Sequence, residues 1–241
     1  MASSRGGPGA EAFADVARAL LAQEDVQHTL QRIVDLAVDT IDGCDYAGVS
    51  LLKARTVDTP AASDDVSKLV DAIQYETGEG PCLDAIREHE VFETGDLGEE
   101  QRWPKFSSRA RRETGITSML CFRLFVDGDT LGALNLYSKA TDAFDDASRT
   151  VGLVFAAHAA VALSTAMHDE QMEEALLSRD LIGQAKGILM AREGVTADQA
   201  FDMLRRASQR LNVKLRDVAG GVVDRSGAPP AAGGGGEEGG A

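Results

Sequence analysis

The sequence predicts an α+β domain, an antiparallel sheet flanked by helices, followed by a long helix and an all-α module of three short helices. Three observations carry this. Apolar residues recur at helical spacing in the first forty residues, from Asp146 onward, and again between Leu181 and Val222. Four segments with strand character lie between the first two of these runs. The C-terminal part is cut into short helices by a capping box and by stop residues.

Taken in order, Val16, Leu20, Val26, Leu30, Ile33, Val34, Ala37 and Ile41 make one helical pattern from Phe13 to about Thr40. Strands are expected at Tyr46–Leu52, Val91–Thr94, Thr117–Val126 and Thr130–Tyr137. The last two are joined through Asp127-Gly128, a hairpin signal, since a tight two-residue turn needs residues that accept positive φ. Helices are expected at Ser63–Gln74, Pro81–Glu88 and Pro104–Arg112. Pro81 and Pro104 suit first helical positions, where a missing N–H costs nothing. Trp103, just before Pro104, reads as a core or pocket-wall anchor. A further helical pattern runs from Asp146 through Met167, and after Gly152 it meets no Gly or Pro before Gly183. Gly194 ends it, Thr196 to Gln199 form a capping box for the next helix, and Asn212 separates that helix from the last.

The domain plan that follows is a disordered N-terminus (1–10), an α+β domain (11–165), a connecting helix (166–178), a helical module (179–224) and a disordered Gly/Pro-rich tail (225–241). No uninterrupted apolar run reaches the ~18–20 residues of a membrane span, and the N-terminus lacks an export pattern. Three scattered cysteines, Cys44, Cys82 and Cys121, suit a reducing compartment. The expected location is cytoplasmic, with no membrane partner.

Charge singles out the C-terminal module. Between Arg179 and Arg216 there are eight basic residues against four acidic ones, a net of +4, on a chain whose formal charge is −15. A basic island on an acidic chain points to a polyanion, and nucleic acid is the first candidate. Arg205, Arg206 and Gln209 fall opposite the apolar face of the second helix, whose core positions are assigned to Ala200, Phe201, Leu204, Ala207 and Leu211. On the first helix, Arg179, Gly183, Lys186 and Met190 form a stripe, and Gly183 and Gly187 leave little bulk around Lys186. The same charges would also serve a solvated bundle face. With Phe201 in the core, no aromatic stacking platform is expected.

The block Ala185-Lys186-Gly187-Ile188-Leu189-Met190, the Ala200/Leu204 spacing and Leu215 to Ala219 resemble the ANTAR domain, a three-helix RNA-binding module of bacterial antitermination regulators. The likeness covers roughly Leu177 to Asp224. It implies recognition of stem-loops in nascent transcripts, with loop bases read by polar and basic side chains. From their positions on the helices, Lys186, Arg205 and Arg206 are the expected contacts, with Arg179, Gln184, Ser208, Gln209 and Lys214 as further ones. ETGEGPCLDA (76–85), RWPKF (102–106) and LGALNLYS (131–138) resemble the GAF domains that precede ANTAR domains in actinobacterial regulators. That likeness covers roughly Ala10 to Thr165 and implies a sensor that packs helices on an antiparallel sheet and often holds a small ligand.

No known ligand motif is complete in this part of the sequence. The N-K…F-x3-D-E pattern of cyclic-nucleotide-binding members is broken: Leu136 follows Asn135, and Ser148-Arg149 follow Phe144. His28, His89, His158 and His168 show no metal or haem spacing. Cys82 sits in the first turn of a helix, where the dipole lowers a thiol pKa, so it is the candidate redox thiol; the alternative is a small buried packing residue. No P-loop, GxGxxG, HExxH or CxxC occurs, and no enzyme is expected.

The reading is a signal-responsive antiterminator that binds tandem stem-loops in nascent RNA. It is expected to dimerise through a weak coiled-coil seam of Val151, Val154, His158, Val161, Thr165, His168, Met172 and Ala175. The alternative is a protein-interaction regulator, with a thiol-sensing GAF domain as one variant, whose helical module docks on an acidic protein.

Overall fold

The computed structural model describes residues 10–53, 56–88 and 91–227. His89 and nearly all of the two expected tails lie outside the described residues. The chain divides into two compact units, with the boundary between Glu170 and Gln171.

The first unit contains α1 (Ala10–Leu21), α2 (Val26–Thr40), β1 (Tyr46–Lys53), β2 (Thr56–Ala62), α3 (Asp65–Thr77), α4 (Pro81–Glu88), β3 (Phe92–Thr94), α5 (Pro104–Thr114), β4 (Ser118–Val126) and β5 (Asp129–Ser138). The single helical run expected over Phe13–Thr40 is two helices. Asp25 caps the second, accepting from the His28 N–H at 2.8 Å, so the chain starts afresh there. The apolar period passes through the break because both helices pack into one core.

The sheet has the order β2-β1-β5-β4-β3, all neighbours antiparallel. β2 is not among the strands expected from sequence, since Pro60 and the polar residues around it have loop character. A proline is tolerated there because β2 is an edge strand with one unpaired side. The β4–β5 hairpin turns at Asp127 (φ 51°) and Gly128 (φ 92°), both left-handed, as the Asp-Gly signal requires.

Side chains alternate cleanly between two cores. Leu120, Phe122 and Leu124 of β4 share one with α1, α2 and the first part of α6 (Asp146–Glu193), whereas Met119 and Cys121 share the other with α3, α4 and α5. Both faces of the sheet are therefore covered.

α6 contains an 18-residue window long and apolar enough, by composition, to cross a membrane, against the expectation of no such span. Of that window 39 % is buried, and Phe155, Ala159, Ala160 and Leu163 of α6 lie in the core they share with the sheet.

The second unit holds the C-terminal part of α6, α7 (Ala197–Leu211) and α8 (Leu215–Gly227). Thr196 and Gln199 form the expected reciprocal capping box, and Asn212 takes the left-handed conformation (φ 53°) that stops α7. The last helix continues to Gly227, past the expected start of the tail. Ala185, Leu204 and Ala219 are the buried centre, surrounded by Leu181, Ile182, Leu189, Leu215 and Val218. Small residues on α6 and α8 let those helices close on the one large buried side chain, Leu204.

Candidate nucleic-acid interface

The sequence-predicted contacts do not form one patch. On α6, Arg179 is exposed and Lys186 half-buried. Nothing stands within 4 Å of the point where a side chain would project at Gly183 or Gly187, so Lys186 is approachable from both glycines. Its ammonium lies 6.0 Å from the centre of the Phe201 ring. Phe201 departs from expectation: it is 38 % exposed and does not enter the core. One residue past Ala200 turns it well round the helix, and the core accepts only Ala200 and Leu204 fully. An exposed aromatic ring under a lysine is thus present where no stacking surface was expected.

Arg205, four residues on, shares the flank of Phe201 and bonds Asp202 at 2.8 Å. Arg206 lies on the other flank with Met203 and Arg210, beside an open concavity of about 410 Å³. Gln209 is exposed between the two. Ser208 is half-buried, and its hydroxyl donates to the Val213 carbonyl at 2.7 Å, which occupies its proton in the α7–α8 turn. Gln184 and Lys214 are exposed. Among the described residues, the side chains of Arg179, Arg206, Arg210 and Lys214 make no ion pair, unlike Arg216, which is held by Glu174 and Asp217. Arg210 and Phe201 are the residues that sequence reasoning left out of the surface. The signal for Arg210 was present, since it follows Arg206 at helical spacing.

The interior of the first unit is polar on the α3 side. Asp71 is fully buried and accepts from the Tyr137 hydroxyl, from Thr59 Oγ1 at 2.9 Å, and from Gln74 Nε2 and Asn135 Nδ2 at 3.1 Å each. Burial pushes its carboxyl up to about 6 despite these donors. The Cys82 thiol donates to Ser50 Oγ at 3.2 Å, and its backbone N–H donates to Gln74 Oε1 at 2.9 Å. The expected lowering of the Cys82 pKa is overturned. Complete burial, with Asp71 nearby, pushes the thiol up to about 12, outweighing the helix start at which it sits. Trp103 is buried as expected and donates through Nε1 to Asp84 at 2.6 Å. His158 Nδ1 lies 2.8 Å from the Val154 carbonyl, so the ring is bonded within its own helix. Among the described residues no three His, Cys, Asp or Glu side chains converge as a metal site.

Several solved structures share the fold of the first unit. A GAF domain from a phosphoenolpyruvate-protein phosphotransferase of Coxiella burnetii is 14 % identical, with TM-score 0.54 over 67 % of this chain and 95 % of that one. A domain of a two-component sensor histidine kinase protein from Sinorhizobium meliloti gives 14 %, 0.52, 63 % and 99 %. The free methionine-R-sulfoxide reductase of Neisseria meningitidis gives 14 %, 0.53, 70 % and 99 %. At such identities these similarities establish the fold alone. Compared with curated protein sequences, the chain matches none. The family model described as ANTAR domain matches residues 170–223, and the one described as GAF domain matches residues 23–164, more than half of the chain. With its sheet, its two covered faces and the three-helix unit that follows in sequence, the chain belongs to the GAF family and carries an ANTAR domain after it, a GAF-ANTAR architecture.

Proposed function

We propose that this protein is a signal-responsive RNA-binding antiterminator, whose GAF domain takes the input and whose ANTAR domain grips stem-loops in nascent RNA. The observation that carries the reading is the exposed cationic surface of the ANTAR unit. Arg179, Lys186, Arg206, Arg210 and Lys214 make no ion pair among the described residues, on a chain of formal charge −15. Lys186 beside the exposed Phe201 ring adds a stacking face next to a phosphate-binding charge. Splayed loop bases can stack there and be read at their edges, whereas a paired stem offers little beyond its backbone.

Two copies would grip two hairpins in tandem. α6 supports this with exposed apolar residues: in the first unit Val154 and Val161 are 37 % and 53 % exposed and align with Thr165 and His168, and in the second Met172 is 52 % exposed. Val151, expected in the same seam, belongs instead to the domain core. Bound RNA would oppose a terminator stem and let polymerase continue. The protein would work in the cytoplasm, where transcripts emerge.

Affinity for a paired stem-loop RNA at two salt concentrations tests the reading. Binding that falls steeply with salt is expected, because each neutralised phosphate releases counterions. No binding to any such RNA overturns it. Binding to an acidic protein instead would favour a docking regulator.

A further inference from the structure

The concavity beside Arg206 has the chemistry of a base-binding slot. It measures about 410 Å³, within the ~300–1,000 Å³ typical of small-ligand sites. Its floor includes Leu204, Val218 and Val222, and Met203, Arg206 and Arg210 stand at its edge. Met203 is 40 % exposed, so a flexible, polarisable side chain lies open to water beside two arginines. Neither guanidinium makes a hydrogen bond or ion pair among the described residues, although Arg205, their neighbour in sequence, is paired with Asp202.

We propose that this groove receives a single unpaired nucleobase of an RNA loop. The base would lie against Met203 and the aliphatic floor, while Arg206 and Arg210 bond the flanking phosphates or stack on the exposed base face. Charge complementarity selects the occupant. An apolar slot alone would suit a hydrophobic helix, but two unpaired arginines at its rim would leave such a helix facing uncompensated charge. A nucleotide presents a flat apolar face and an anion together, and guanidinium planes stack on bases irrespective of sequence. The inference rests on the RNA-binding reading and adds a second contact surface, on the opposite flank of α7 from Lys186 and Phe201.

The test uses the full chain and a stem-loop RNA in which each loop nucleotide in turn is made abasic. One position should cost about tenfold or more in affinity when its base is removed. In the Arg206→Ala/Arg210→Ala variant, and in Met203→Glu, that same substitution should cost little, because the slot no longer holds the base. The Lys186→Ala variant should bind less tightly yet remain fully sensitive at that position. Both arginines are exposed, so the double variant should fold, as circular dichroism melting will verify, even should Met203→Glu not. Tight RNA binding by the parent with no abasic position coupled to the groove variants overturns the proposal and leaves the RNA-binding reading standing. Absence of RNA binding by the parent overturns both. A switch of the RNA-free protein from dimer to monomer on groove substitution, without abasic coupling, would assign the groove to a second copy and also overturn it.

Discussion

Lys186 on α6 and Phe201 on α7 face each other across 6.0 Å, ammonium to ring centre, at the surface of the ANTAR unit. The pair joins a charge that attracts phosphate to a ring on which a base can stack, and neither residue is committed to the core. Changing Lys186, Arg205 and Arg206 together to Ala should weaken stem-loop binding and lower the salt slope by about one unit for each phosphate no longer neutralised. Stability should move by less than about 0.5 kcal/mol per exposed residue. Phe201→Ala should cost ~1–3 kcal/mol of affinity, because a base can no longer stack there. Filter binding at two salt concentrations, with melting controls, measures both; unchanged binding by the folded triple variant removes this surface from the interface.

Leu204 is the one large, fully buried side chain of the ANTAR core. Leu204→Ala should therefore destabilise that unit by roughly 2–5 kcal/mol. A core this small has little reserve, so helical circular dichroism of the isolated unit should drop at room temperature. A variant that melts with the parent would show that the three helices are held by something else.

Asp71 gives the GAF unit a pH signature. Its carboxyl is raised from an ordinary 3.8 to about 6 in the folded state, so folding favours the protonated form. The resulting stability is fully present below pH ~4 and is lost as pH rises through ~6. Asp71→Asn stays neutral and keeps an oxygen for the Tyr137 hydroxyl. Relative to this variant, the parent should lose about 2 kcal/mol between pH 4.5 and 7.5, the part of the full ~3 kcal/mol (from ~1.4 kcal/mol per pKa unit) that falls in that window. Urea denaturation of both proteins at pH 4.5 and 7.5 cancels other carboxylates, including Glu100, which Arg102 holds down at about 2. Parallel pH dependence in the two proteins contradicts the assignment.

Cys82 is buried, and its thiol is pushed up to about 12. A reactive thiol needs the thiolate and access, and here both are withheld. Intact-mass analysis after mild peroxide should show Cys82 unmodified in the native protein and alkylated readily once unfolded. Native oxidation at Cys82 would restore it as a redox candidate.

The exposed apolar residues of α6 give a dimer prediction. Val161→Glu with Met172→Glu places charge where both side chains already meet water, so each copy should fold. Sedimentation should show association weakened at least tenfold relative to the parent. A parent that is monomeric at tens of micromolar, with and without RNA, would contradict dimerisation along this helix.

Local rules carried much of the architecture. Pro81 and Pro104 open α4 and α5, Asp127-Gly128 turns the β4–β5 hairpin, and Thr196, Gln199 and Asn212 bound α7, because each acts within a few residues of backbone. The family likenesses were legible for the same reason, as fixed words at fixed spacing. What the sequence could not supply was decided by neighbours distant in the chain. Pro60 hides a strand that exists only because β1 pairs with it at the sheet edge. By its helix start alone Cys82 reads as an activated thiol, yet burial beside Asp71, eleven residues earlier on α3, raises its pKa; desolvation depends on packing that no local window contains. Phe201 has a core position by periodicity, but Ala185 and Ala219 draw the helices close around Leu204 and leave the ring outside, beside Lys186. Helical period determined which residues could share a face. Which face met a neighbour, and which was left open to solvent, was set by tertiary packing, because burial is a property of the contacts and not of the residue.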